Sequence, residues 1–244
     1  MNSFEFGRFG TLDSALLLDL GAGTGRHCVE ALICGAKVIA LELDTAAATQ
    51  IYSNVVDAAT YAGLDPDEML SRLSIIFGDA RSLPFPSKCF DVVIVSEVLE
   101  HIKDDCSVLG EVSRVCKDGG HVGVSVPRAF PELINWALSK QYHSVKGGHI
   151  RIYMRSELMR RLERNSLRVV SYTHVHGLHA PYWWLRCLVG PENMKSKMVI
   201  VYHDMLVKQM MGKAKALDLL DRVLNPILGK SLVIYARTSI KIDP

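Results

Sequence analysis

The chain of 244 residues lacks any uninterrupted apolar run of about 18 residues, the length that a bilayer-spanning helix requires. No spanning helix is therefore expected. Its six cysteines, Cys28, Cys34, Cys89, Cys106, Cys116 and Cys187, form no CxxC pair and no zinc-like spacing, a pattern that reads as reduced thiols in a cytoplasmic protein rather than as a disulfide framework. The first residues lack the long apolar stretch of a secretory leader and include Glu5, which argues against a signal peptide. A large net charge is also missing, since 28 Lys and Arg face 26 Asp and Glu. That balance hides an asymmetry: residues 1–126 carry 9 Lys and Arg against 18 Asp and Glu, and residues 127–244 carry 19 against 8. Two readings stay open, a basic face for anionic lipid or nucleic acid, or two halves that neutralise each other in the fold. With 49% hydrophobic and 22% charged residues, the chain can bury a substantial core as a single domain over 1–244.

What is present centres on Leu16–Gly25, LLLDLGAGTG. A strand expected at Leu16 to Leu20 is apolar but for Asp19, and glycine then recurs at Gly21, Gly23 and Gly25 before helix-forming residues begin at Arg26. Such glycines let the backbone turn sharply and approach a ligand, and the amides at the following helix start favour an anionic group. A second buried strand, Lys37 to Leu43, closes on Glu42, where an acid can accept from both hydroxyls of a ribose.

With Gly78-Asp79-Ala80 and Phe90-Asp91-Val92-Val93-Ile94, these residues resemble the class I S-adenosylmethionine-dependent methyltransferases. The stretch Ser96-Glu97-Val98-Leu99-Glu100-His101 is similar to the small-molecule and lipid subgroup of that family. The resemblance covers about Ala15 to Val126 and continues more loosely through Gly148-His149-Ile150-Arg151. It implies a three-layer, Rossmann-like α/β fold with a mainly parallel seven-stranded sheet whose last strand is antiparallel. It also implies S-adenosyl-L-methionine as cofactor, S-adenosyl-L-homocysteine as product, and a donor site of Asp19, Gly21, Ala22, Gly23, Gly25, Glu42, Leu43, Asp79, Ala80, Ser96 and Glu97. In the family the acid matching Asp79 receives the adenine amine, and the amide after it contacts the ring. The polyprenyl quinone branch holds a divalent metal on a Glu, Glu and His cluster like Glu97, Glu100 and His101. Hydrogen bonding is preferred for these three here, and no metal is expected.

In chain order, Met1 to Asp13 offers Phe4, Phe6 and Phe9 as packing points. Helices are expected over Arg26 to Cys34, from a Thr45 cap to about Tyr61, from an Asp104 or Asp105 cap to Val115, over Ala129 to Tyr142, and from a Ser156 cap to Asn165. Strands are expected at Leu73 to Phe77, Phe90 to Ser96, His121 to Val126, Leu167 to Val175 and Leu232 to Arg237. Gly147 to Arg151 reads as a loop returning to the cleft, with His149 as acceptor contact or general base. His101, His176 and Tyr153 are further candidates for the base.

The main departure from the family is an insertion, 176–230, between the last two strands of a core assigned to 14–175 and 231–238. It opens with His174, His176, His179 and Tyr182-Trp183-Trp184, a poor zinc pattern. It continues through Met198, Val201, Tyr202, Met205 and Leu206 at helical spacing, flanked by Lys195, Lys197, Lys208, Lys213 and Lys215. Three uses remain open: a cap over an apolar acceptor pocket, an interfacial element on an anionic membrane, or docking on the domain or on a second subunit as a homodimer. The expected activity is methyl transfer to a small-molecule or lipid-like acceptor, at oxygen. The alternatives are an RNA methyltransferase, an NAD-dependent oxidoreductase and a non-catalytic binding protein of the same fold.

Overall fold

A parallel strand covered by helices on both faces has no solvent side and must be apolar along its length. In the computed structural model, which describes residues 3–144, 148–193 and 195–239, β4 (Phe90–Ser96) is such a strand, buried at every residue but Asp91. Met1, Asn2 and Gly147 lie outside the described residues. Around β4 stand β1 (Leu16–Leu20), β2 (Lys37–Glu42), β3 (Leu73–Phe77), β5 (Cys116–Pro127), β6 (Leu167–Val175) and β7 (Ser231–Thr238). They form one seven-stranded sheet in the order β3-β2-β1-β4-β5-β7-β6. The first five are parallel, and β7 runs antiparallel to both β5 and β6. The α/β architecture is as the motifs implied.

Alternation along the strands sends side chains to two cores. Leu17, Val38, Val92 and Ile94 pack with Cys28, Leu32, Ile51 and Val55 of α1 (Arg26–Ile33) and α2 (Thr45–Ala62). Leu18, Val93, Val95 and Val122 pack on the other side with Val108, Leu109 and Val112 of α4 (Asp105–Val115) and Leu158 and Leu162 of α7 (Arg155–Arg164). Phe4, Phe6 and Phe9 close the first core at its end, against His27 and Tyr235. Gly123 makes room for them, since a Cβ there would lie 2.7 Å from Phe9.

Several boundaries differ from the sequence expectation. Asp44, not Thr45, caps α2, because its extended backbone aims its carboxylate at the Ala46 amide, 2.8 Å away. A short α3 (Pro66–Ser71), capped by Asp65, follows it. β5 starts at Cys116 rather than His121, because Cys116 already pairs with Phe90 before an irregularity in the ladder. The expected helix from Ala129 breaks at the extended Ser139 into α5 (Ala129–Leu138) and α6 (Lys140–Ser144). Ser156 does not cap α7. Tyr153 is anchored to Asp105 at 2.5 Å, and the helix begins after Met154 without a side-chain cap.

The insertion folds into α8 (His179–Val189), α9 (Lys197–Met210) and α10 (Lys215–Leu228), around Leu178, Tyr182, Val199 and Leu206. On α9 the buried positions are Val199, Leu206 and Gln209, whereas Met198 and Val201 are exposed. The expected apolar face is thus rotated. α9 packs under α8 along the row that includes Tyr202, whose hydroxyl donates to the Leu178 carbonyl at 3.0 Å.

His27, buried between Phe4 and Phe6, has its pKa pushed down to about 2 by burial, with the Arg26 charge acting in the same direction. The fold therefore holds a neutral ring, and stability present above the unfolded value near pH 6.5 is lost as the pH falls towards 2. His27→Gln should be less stable than the parent at pH 8, with the gap narrowing by about 2 kcal/mol at pH 5. Urea midpoints at the two pH values read this, and a constant gap would refute it.

Candidate active site

The glycine loop is held in place by β2. The amides of Gly21 and Ala22 both donate to the Leu41 carbonyl, at 2.8 and 3.1 Å, and the Gly23 amide donates to Glu42 Oε2 at 2.6 Å. Gly21 has φ +73°, and a Cβ there would lie 2.4 Å from the Val98 side chain, so the loop and the segment after β4 meet closely. At Gly23 the same test finds nothing within 4 Å. Gly23 borders a cavity of about 600 Å³ beyond the carboxyl ends of β1, β2 and β4.

Of the expected donor residues, Gly21, Gly23, Glu42, Leu43, Asp79, Ala80 and Glu97 line this cavity, together with Arg81, Val98, His101 and Lys103. Ala22 lies in the loop behind it, and Gly25 caps α1 in the left-handed conformation. Asp19 is buried beneath the loop, where Cys28 Sγ donates to its Oδ2 at 3.2 Å. Burial raises its carboxyl to about 6, against the opposing effect of that hydrogen bond. Ser96 lies outside the lining, in a buried network with Arg26 at 3.0 Å, His27 at 3.1 Å and Ser125 at 2.9 Å. Asp79 is engaged by Arg81 at 2.6 Å, and hydrogen bonds from Arg81 hold its pKa below the usual range.

Next to this cavity lies a polar cluster that the sequence only half revealed. His149 sits 2.6 Å, through Nδ1, from Glu132 Oε1 of α5. Glu132 also accepts from Trp136 at 3.0 Å and from Asn135 at 3.2 Å. Burial would raise its pKa, but His149, Asn135 and Lys230 together outweigh it and the net shift is downward. An ionised Glu132 accepts from His149 Nδ1, which leaves Nε2 as the ring nitrogen for an acceptor. The His149 ring is 5.0 Å from that of His101. The Ile150 amide donates to the Glu100 carbonyl at 2.9 Å, which ties the returning loop to the segment after β4.

Glu100 is fully buried, neither carboxylate oxygen has a hydrogen-bond partner among the described residues, and Oε1 lies 3.9 Å from His101 Nε2. Burial, and then the Glu97 charge, pushes its pKa well up. Glu97 itself is left-handed, with φ +56°, and stands 3.8 Å from Lys230 at the end of the insertion. Glu100, His101 and His149 each offer one ligand atom within 4.8 Å of the others, the geometry of a shared cation. Two expected bases are placed elsewhere. His176 is buried against Ser3 at 3.2 Å, and the Tyr153 hydroxyl is committed to Asp105. Glu132 and Lys230 were missed, although Glu132-x-x-Asn135-Trp136 on one helix face was a readable hint.

The chain matches a family described as a methyltransferase domain over residues 7–172, more than half of its length. It belongs to the class I S-adenosylmethionine-dependent methyltransferases. A demethylmenaquinone methyltransferase from Bacillus licheniformis is 38% identical over 69 residues, 28% of this chain and 29% of that one. Another, from Lactococcus lactis, is 33% identical over 129 residues, 52% of this chain and 47% of that one. The matches thus span less than half of these curated relatives. The solved structure of an S-adenosylmethionine-dependent methyltransferase from Mesorhizobium loti shares the fold, with a TM-score of 0.57, 18% identity and 93% of both chains covered.

For a methyltransferase of this class the cavity suits the adenosyl donor. Its volume fits a nucleoside-sized ligand, Gly23 leaves open space where a side chain would intrude, and Glu42 stands at the mouth of β2. The Glu42 carboxylate already accepts from Gly23, Leu43 and Asp44, so its orientation is fixed by the backbone. Glu42→Ala should weaken S-adenosylmethionine binding by roughly 1–3 kcal/mol. Calorimetric titration measures this, and unchanged affinity would remove Glu42 from the donor site.

Proposed function

We propose that the protein transfers a methyl group from S-adenosylmethionine to a hydroxyl oxygen of a small or lipid-like acceptor, with 1–244 acting as one domain and 176–230 as the acceptor cap. The observation that carries this reading is the His149–Glu132 pair beside the donor cavity. Bound in that cavity, S-adenosylmethionine supplies a methyl group already activated by its sulfonium. The residues Gly21, Gly23, Glu42, Leu43, Asp79 and Ala80 hold and orient the donor, and Asp19 supports their loop from below. An acceptor hydroxyl must lose its proton as its oxygen attacks, and His149 Nε2 takes that proton while Glu132 balances the charge gained. His101 lies between the pair and the donor and orients the hydroxyl.

The acceptor's body is read from the walls. Tyr142 lies 6.1 Å from His149 and 5.7 Å from Trp183 of α8, ring centre to ring centre. Trp184 donates to the Pro131 carbonyl of α5 at 3.2 Å, which fastens the insertion to the helix carrying Glu132. A polar pair packed beside aromatic rings is compatible with an acceptor of hydroxyl head and apolar body. The relatives named for demethylmenaquinone support a small, lipid-like acceptor.

His149→Ala should lower methyl transfer by about 10²- to 10⁴-fold with donor affinity unchanged, and Glu132→Gln should lower it less. The assay transfers labelled methyl from S-adenosylmethionine to lipid and small-molecule extracts, with S-adenosylmethionine and NADH titrated in parallel. An active His149→Ala would overturn the assignment of the base, and binding of NADH alone would overturn the enzyme class.

A further inference from the structure

α10 is apolar on two sides, since Leu217 and Leu224 pack against the core of the insertion and a second apolar stripe faces outward. Its inward face carries Asp221 and Asn225, whose side chains accept from the Leu178 amide at 2.8 Å and the Gly177 amide at 2.7 Å. Its outward face carries Leu219, Leu220, Val223 and Ile227, exposed to 64%, 44%, 63% and 65%. Leu219, Val223 and Ile227 are spaced four residues apart and form one stripe. A helix normally turns such a stripe to the core. Here the core side is already occupied by Leu217, Leu224 and the hydrogen bonds that fix the loop after β6, so the stripe is left for a partner.

The charges around the stripe identify that partner. Lys215 and Arg222 each lie one turn from Leu219 and border the stripe, and Lys213 precedes the helix. All three are exposed, as are Lys197 and Lys208 on neighbouring α9. The acids nearby are fewer: Asp221 is turned inward, Asp218 is half-buried, and Asp204 is exposed on α9. A second copy of the chain would bring like charges together. Four side chains also cover only a few hundred Å², roughly, short of the ~800 Å² per partner of a standard interface. An anionic bilayer matches both parts, accepting apolar side chains below the headgroups and lysines at the phosphate level. Among the described residues no helix is long and apolar enough to cross a membrane, so the contact is one of surface residence.

We propose that the outward face of α10, with Lys213, Lys215 and Arg222, docks the protein on an anionic phospholipid surface. This surface is independent of the acceptor's identity. The test is co-sedimentation of the full chain with phosphatidylcholine vesicles prepared with and without phosphatidylglycerol. The protein should bind only the vesicles with phosphatidylglycerol and be released by salt. The pairs Val223→Glu with Ile227→Glu and Lys213→Glu with Lys215→Glu should each cut binding by about tenfold or more. Calorimetric binding of S-adenosylmethionine should be unchanged in both, which shows that the fold is intact. The proposal is overturned by absence of parent binding, by equal binding to both vesicle types, by either pair binding like the parent, or by a concentration-dependent dimer that the Val223 and Ile227 changes dissolve.

Discussion

The bifurcated contact at the Leu41 carbonyl is the constraint on which the rest of the site depends. Two successive loop amides, those of Gly21 and Ala22, share this one acceptor at the end of β2. The following amide, of Gly23, is taken by the Glu42 side chain. The first and second strands are thereby locked at their carboxyl ends, and the cavity wall is set before any ligand enters. Preorganisation of this kind moves the cost of ordering the loop from binding into folding. The absence of a Cβ at Gly21 lets Val98 close in from the β4 side, so three strand ends converge on one point.

Beyond that point the molecule concentrates carboxylates where solvent is excluded. Glu132 is stabilised as an anion by four donors, His149, Trp136, Asn135 and Tyr142, whereas Glu100 has no hydrogen-bond donor among the described residues. Burial alone pushes two such groups the same way, and the hydrogen bonds separate them. One carboxyl is held down by hydrogen bonds from an imidazole and its neighbours, and the other is pushed up by burial.

Much of the fold was legible because its signal is local and strong. The buried strands are short apolar runs bounded by glycine and acids, and β1, β3, β4 and β6 coincide with the expected ranges. The cap of α2 went to Asp44 because two adjacent residues could serve and only backbone direction decides between them. The cavity side of the candidate site was legible in its glycines and in Glu42, Asp79 and Ala80. Glu132, Lys230 and Tyr142 were not, because they reach the cluster from α5, from the residue before β7 and from α6, by contacts that no spacing encodes. The inward Asp221 and Asn225 of α10 were unreadable for a related reason, since they satisfy backbone amides 43 and 48 residues earlier.

The position of β7 between β5 and β6 has a consequence for how the chain acquires its shape during synthesis. β6 touches the sheet only through β7, and β7 emerges after every other strand and after the helices of 176–230. Until then β5 and β6 each present an unpaired edge, and the aromatic side chains Phe4 and Phe9 await Tyr235. The sheet thus closes in one late, long-range step, with high loop-closure entropy. The nascent chain spends its last interval with two open strand edges, the state in which such proteins are most exposed to mispairing and to chaperones.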